Sequence, residues 1–151
     1  MAVFGVHIAT NLFHYTVLDG TKTTPILIAK DRLTTPVADN VPALMDWYET
    51  QFDLVLDRYT PERIAYRLTL NLQKKRQLFC ASFPLGVLNL LAHKRNLPIE
   101  EYVATSYVVS RLGLSKGSDL YAHCNTQFGI LSPPWDNNQK HSVLAAWFAL
   151  P

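Results

Sequence analysis

The chain has 151 residues, 48% of them apolar and 17% charged, with a formal net charge of +2. That length and composition fit one folded domain with its own core, and exclude a disordered or fibrous chain. A charge so near neutrality gives no bulk attraction for a polyanion, so nucleic-acid contact would have to come from local patches.

Val3–Ile8 reads as a strand, short and rich in β-branched and aromatic residues, with Gly5 interrupting it. Residues 9–11 form a turn candidate. Residues 12–18 form a second strand, with Phe13, Tyr15 and Val17 on one face and His14 and Thr16 between them. Asp19-Gly20 is a hairpin signal, and residues 25–29 supply a third strand. Three strands joined by tight turns predict an antiparallel meander.

Asp39 or Asn40 can cap the helix that follows. Val41, Leu44, Met45, Tyr48, Phe52, Val55 and Leu56 then repeat at helical spacing, with Asp46, Glu49 and Asp53 on the other side. Thr60-Pro61 ends it, and residues 63–70 form a fourth strand, expected to pair in parallel after the crossover. Residues 77–93 are almost uniformly apolar and predict a buried helix that Pro84 must kink or restart. A fifth strand is expected over 97–103 and a helix over 106–112, stopped by Gly113. A further helix starts at Ser118 or Asp119 and runs to about Phe128. A Pro133-Pro134 loop then leads to a last helix over 140–150. The order predicts an α/β domain spanning 1–151: a mixed sheet of three antiparallel strands and then parallel crossovers, with helices on both faces.

Cys80 and Cys124 are distant in sequence and make no C-x-x-C pair, so they read as buried thiols of a reducing compartment. The N-terminus has no basic leader, and the longest apolar stretches, 85–92 and 143–150, fall far short of a bilayer span. The expectation is a cytoplasmic protein without a membrane segment.

Several local sequences add a resemblance. Gly5-Val6-His7-Ile8-Ala9-Thr10-Asn11 resembles the opening strand of RuvC-like Holliday junction resolvases, within the ribonuclease H-like superfamily. Pro61-Glu62-Arg63-Ile64-Ala65-Tyr66-Arg67 resembles their fourth strand, and Leu97-Pro98-Ile99-Glu100-Glu101-Tyr102 their fifth. Arg111-Leu112-Gly113 with the restart at 115–119 fits the next helix and spacer. Lys140-His141-Ser142-Val143-Leu144-Ala145-Ala146-Trp147 resembles their closing helix.

The resemblance implies a ribonuclease H-like fold whose members hold two divalent ions on four carboxylates and cut phosphodiesters. Here His7 stands at the first aspartate position and Arg67 at the fourth-strand glutamate, within one residue of register. His141 and Asn138 stand where the last helix carries its acids. A guanidinium about 4 Å from a divalent ion would repel it by about 8 kcal/mol at an effective dielectric of about 20. Magnesium wants oxygen ligands, which two imidazoles do not supply. The two-metal reaction therefore does not carry over, and no cofactor is expected.

His7, Arg67, Asn138 and His141 would converge at the carboxyl ends of the central strands, as a positive, hydrogen-bonding cluster suited to phosphate or carboxylate. Two readings stand: a non-cleaving protein that binds DNA or RNA there, or a scaffold that has drifted into an interaction module. A third is a nuclease with a rebuilt histidine site, in which His7 and His141 bind zinc or act as acid and base, with Asp136 or His14 assisting. Lys74, Lys75 and Arg76 are further phosphate candidates or an ordinary solvated turn. Lys94-Arg95, Lys30 with Arg32, and Arg111 with Lys116 are the other basic groups. Trp135 reads as a packing plug or a base-stacking side chain, and the tyrosine-rich strand over 102–107 as core and sheet surface in preference to a stacking platform. The apolar surplus near 85–91, together with the resemblance, implies a homodimer.

Overall fold

The structure is a computed structural model that describes residues 1–36, 39–130 and 134–151. Five strands form one sheet in the order β3-β2-β1-β4-β5. They are β1 (Val3–Ile8), β2 (Leu12–Gly20), β3 (Pro25–Thr34), β4 (Arg63–Arg67) and β5 (Ile99–Tyr102). The β1–β2 and β2–β3 pairs are antiparallel, and the β1–β4 and β4–β5 pairs are parallel. The meander and the parallel crossover are thus both present. The helices are α1 (Val41–Tyr59), α2 (Lys75–Gln77), α3 (Phe83–Lys94), α4 (Leu120–Phe128) and α5 (Asn137–Phe148).

The alternation of side chains along a strand divides the molecule into two cores. Phe4, Val6, Ile8, Phe13, Tyr15, Val17, Ile64 and Tyr66 point to one face, where Tyr48 and Phe52 of α1 and Leu85 and Leu88 of α3 cover them. Val3, Leu18 and Ala65 point to the other, beneath Val143, Leu144, Ala146 and Trp147 of α5. Asn40 caps α1 through its side chain, and Asp119 and Asp136 do the same for α4 and α5.

Several sequence expectations need correction. Asp19-Gly20 does not form the hairpin turn. It closes β2, with Gly20 paired to Pro25, while residues 21–24 turn the chain. The third strand extends to Thr34. The fourth ends at Arg67 instead of residue 70, and the fifth spans only Ile99–Tyr102. The long 77–93 helix is broken into α2, a π turn (Leu78–Ser82) and α3. Pro84 has no N–H for the carbonyl four residues back, and the Phe83 N–H reaches Leu78 O, one residue further than α-geometry allows. This segment is also not fully buried, since Phe83 is 53% and Leu90 51% exposed. The helix expected over 106–112 is two 3-10 turns (Ala104–Ser106 and Val109–Leu112), although Gly113 does take the left-handed conformation. The last helix starts at Asn137, three residues earlier than expected. Pro133 of the expected loop lies outside the described residues.

His14 and Thr16, which alternate with Phe13, Tyr15 and Val17, occupy the α5 side of β2. Both are fully buried beneath α5. Thr16 Oγ1 and Ser142 Oγ share a hydrogen bond at 2.7 Å, and Gln139 Nε2 donates to Tyr15 O at 2.9 Å. These buried bonds fasten α5 to β2.

Gly5 lets α5 descend onto β1. A Cβ at residue 5 would lie 2.2 Å from Ser142 O and 2.7 Å from Ala146 Cβ. The carbonyl is backbone and cannot swing aside, so Gly5→Ala would force the helix away from the sheet. The expected cost is about 3 kcal/mol, the upper range for overpacking a core, read as a lowered urea midpoint. An unchanged midpoint would mean that α5 does not lie where it is described.

Candidate functional site

β1 and β4 run in parallel with His7 paired to Arg67, so both side chains leave the sheet together on the α5 face. On the same face, β1–β2 pairing sets His7 opposite His14, with their rings 6.1 Å apart. From α5, Asn138 and His141 sit one turn apart and point down to His7. His7 Nε2 lies 3.2 Å from Asn138 Oδ1 and 3.5 Å from His141 Nδ1. His141 Nε2 lies 2.9 Å from the Tyr121 hydroxyl of α4, to which Arg67 Nη1 donates at 3.3 Å. The result is one chain of polar groups: Asn138, His7, His141, Tyr121, Arg67.

Tyr107 closes the cluster from beneath. Its hydroxyl donates to His141 O at 2.7 Å, and the Arg67 guanidinium lies 4.6 Å from the centre of its ring. Tyr107 lies in the link between the two 3-10 turns, Ala104–Ser106 and Val109–Leu112, and its ring also packs on Phe148 of α5. Arg67 is half-buried and borders a cleft of about 310 Å³ that is also lined by Thr69, Asn71, Val103 and Thr105.

The electrostatics differ from the sequence expectation in one respect. Burial, reinforced by His141, His14 and Arg67, pushes the His7 imidazole down to about 3. Burial and Arg67 push His141 to about 3 as well, and burial lowers His14. All three rings are neutral at neutral pH, and the positive charge of the cluster is that of Arg67 alone. His7 Nδ1, both ring nitrogens of His14 and Arg67 Nε are buried without a hydrogen-bond partner among the described residues.

A divalent cation of the kind the fold family uses does not fit this donor set. No side chain in the cluster is a carboxylate, and a guanidinium stands at its edge. The nearby acids are engaged elsewhere: Asp119 and Asp136 cap their helices, Glu100 bonds Arg63 and Tyr102, and Glu101 accepts from Tyr66. Among the described residues, no three of His, Cys, Asp and Glu form a metal-holding group.

The other basic candidates lie apart. Lys74, Lys75 and Arg76 are exposed at the start of α2, and among the described residues no hydrogen bond or ion pair joins them to the cluster. Arg95 is held by Asp53 and Asp57, and Arg111 lies over the Tyr102 ring. Arg32 faces Asp136 at 3.8 Å, and Lys30 sits 5.9 Å from the Trp135 ring. Trp135 is buried, donates to Asn125 Oδ1 at 2.7 Å and packs on Phe128, which makes it a plug and not a base-stacking surface. Cys80 and Cys124 are free and buried. Among the described residues no helix is long and apolar enough to cross a membrane.

Tyr121 and Tyr107 were invisible as site residues in the sequence. They are distant from positions 7, 67 and 141, belong to no motif, and become neighbours only through the seating of α4 and α5.

No protein-family model matches the sequence, and no curated protein matches it. Solved structures do. Thermus thermophilus RuvC in complex with a Holliday junction substrate aligns with a TM-score of 0.78 at 15% identity, covering 98% of this chain and 91% of that one. The yeast mitochondrial Holliday junction resolvase aligns at 0.72 and 12% identity, covering 97% and 76%. The fowlpox virus Holliday junction resolvase aligns at 0.59 and 13% identity, covering 97% and 94%. The chain therefore has the RuvC-like form of the ribonuclease H-like fold.

The lowered imidazoles predict how stability depends on pH. His7 and His141 titrate near 6.5 when unfolded and near 3 when folded, so the unfolded chain takes up protons between those values. Stability is complete above about pH 6.5 and falls as pH drops towards 3. The slope is about 1.4 kcal/mol per pH unit for the buried His7, with a smaller share from half-exposed His141. His7→Gln should flatten urea-midpoint profiles between pH 6.5 and 4. An equally steep profile in the variant would contradict the assignment.

Proposed function

We propose that this protein binds nucleic acid, DNA or RNA, on a RuvC-like scaffold without metal-dependent cleavage. The observation that carries the reading is Arg67. It is a half-buried guanidinium at the end of β4 with no carboxylate partner among the described residues, on the rim of a cleft whose lining is mainly apolar (Leu68, Leu70, Val103, Ala104) and includes Thr69, Asn71 and Thr105. A cation so placed attracts a phosphate oxygen, and Thr69, Asn71 and Thr105 offer hydroxyl and amide donors beside it. The neutral rings of His7 and His141 add no repulsion towards cations or anions, so Arg67 sets the sign of the site. The structural relatives supply the source of phosphate, since their names record Holliday junctions as what they resolve or bind. The exposed Lys74, Lys75 and Arg76 are a separate set of cations available to a phosphate backbone.

Arg67→Gln is expected to weaken binding at least tenfold on every sequence tested, since a charged hydrogen bond contributes about 1.5–3 kcal/mol. Replacing Lys74, Lys75 and Arg76 together by alanine should lower the slope of log affinity against log salt by about 3. Fluorescence anisotropy with labelled duplex, four-way junction and RNA in EDTA measures both. Absence of binding to all three at low salt would overturn the reading.

A second reading, a homodimer that uses α3, has its own support. Phe83 and Leu90 stand exposed there, and a Cβ added to Gly86 would meet nothing within 4 Å. Beside them lies an apolar groove of about 530 Å³ that includes Met45, Leu68 and Val87. An uncovered apolar helix face with room for close approach suits a second copy of the same surface. Sedimentation should give a dimer that Phe83→Glu with Leu90→Glu converts to a monomer. A monomeric parent protein would exclude this reading.

A further inference from the structure

Tyr121 occupies a position in the site that binding alone does not require. It stands in the first turn of α4, fixed by Asp119, whose carboxylate accepts from the backbone N–H groups of Tyr121 and Ala122. Its hydroxyl lies between a neutral imidazole and a guanidinium, 2.9 Å from His141 Nε2 and 3.3 Å from Arg67 Nη1. The side chain is half-buried, and its hydroxyl is held by these two contacts. A hydroxyl with a base on one side and a phosphate-binding cation on the other has the arrangement of an activated nucleophile.

We infer that Tyr121 attacks a phosphodiester held by Arg67, with His141 taking the phenolic proton, in a metal-free transesterification that leaves the nucleic-acid end joined to Tyr121. This rests on the nucleic-acid reading above. In the tautomer protonated on Nδ1, His141 accepts the Tyr121 O–H at Nε2. The Tyr121 oxygen bonds to phosphorus, and the bond from phosphorus to the leaving nucleoside oxygen breaks. The phenolic proton passes to Nε2 and on to solvent, while the leaving oxygen takes a proton from water. One phosphate ester replaces another, so no oxidant, reductant or metal is consumed. Attack of the freed hydroxyl on the phosphotyrosine reverses the step.

The cluster supports these roles in two ways. His141 Nε2 lies 2.9 Å from the Tyr121 oxygen, within reach of its proton, and burial and Arg67 leave the imidazole unprotonated at neutral pH but a weak base. A phosphate seated against Arg67 offsets that cation's influence, so the imidazole becomes more basic when substrate is bound.

The test uses the full chain in EDTA with duplex and four-way junction DNA that carry bridging phosphorothiolates, on the 5′ or the 3′ side, whose thiol leaving group cannot readily return. The expected result is an SDS-resistant protein–DNA adduct, with the nucleotide mass mapped to the tryptic peptide containing Tyr121. Tyr121→Phe keeps the ring that packs 5.4 Å from His141, and circular dichroism checks its fold. That variant should lose the adduct at least a hundredfold. The p-nitrophenyl ester of thymidine 5′-phosphate probes the chemistry apart from nucleic-acid binding, and should give a stoichiometric burst of nitrophenolate that Tyr121→Phe abolishes. DNA binding by the parent chain with neither adduct nor burst would overturn the inference and leave the binding reading standing. An adduct undiminished in Tyr121→Phe would overturn it too. Absence of DNA binding, adduct and burst together would remove both.

Discussion

Helix α5 rests directly on the backbone of β1 because residue 5 has no side chain. The close approach of Ser142 O and Ala146 to Gly5 sets the height of the helix above the sheet. The buried bonds among Gln139, Thr16 and Ser142 then fix its rotation and register. Height and register together place Asn138 and His141 over His7. The same seating buries Trp147, whose indole donates to Lys22 O, and so ties the far end of α5 to the β2–β3 turn. The polar cluster at the carboxyl ends of β1 and β4 is thus a consequence of how one helix is docked.

That docking also determines what the cluster can bind. In the ribonuclease H-like fold, the resemblance assigns this place to carboxylates and divalent ions. In this chain the same place holds three desolvated neutral imidazoles, an amide and one guanidinium. Burial removes the charge that the histidines would otherwise bring, and the aromatic face of Tyr107 accommodates Arg67 without neutralising it. The sign of the site therefore reverses from cation-attracting to anion-attracting, while the scaffold that presents it stays the same. The binding proposed for Arg67 and the chemistry inferred for Tyr121 are two separate readings of this arrangement.

The local patterns that depend on one element were legible in the sequence. The apolar spacing from Leu44 to Leu56 marked α1, β-branched and aromatic composition marked β1, and period-two alternation marked β2. Asn40, Asp119 and Gly113 marked helix ends by their own side-chain or backbone chemistry. His7, Arg67, Asn138 and His141 could be brought together only because the resemblance supplied a topology for them. What depended on tertiary seating was not legible. Thr16 reads as a polar strand residue until α5 supplies Ser142 and Gln139 as partners. The π turn at Leu78–Ser82 reflects Pro84 within a helix that must keep packing on α1, and periodicity alone does not distinguish it from a kink. Tyr107 and Tyr121 carry no spacing signal, since their partners lie on other elements far along the chain.

The most direct test of a site turned from cation to anion is nuclear magnetic resonance of the Arg67 Nε–H and of the His7 and His141 imidazoles during two titrations of the apo protein. The account predicts that a short single-stranded oligonucleotide in EDTA shifts the Arg67 resonance, whereas manganese without nucleic acid leaves the two imidazoles unbroadened. Selective broadening of His7 and His141 by substoichiometric manganese, with an unmoved Arg67 signal on adding the oligonucleotide, would contradict it.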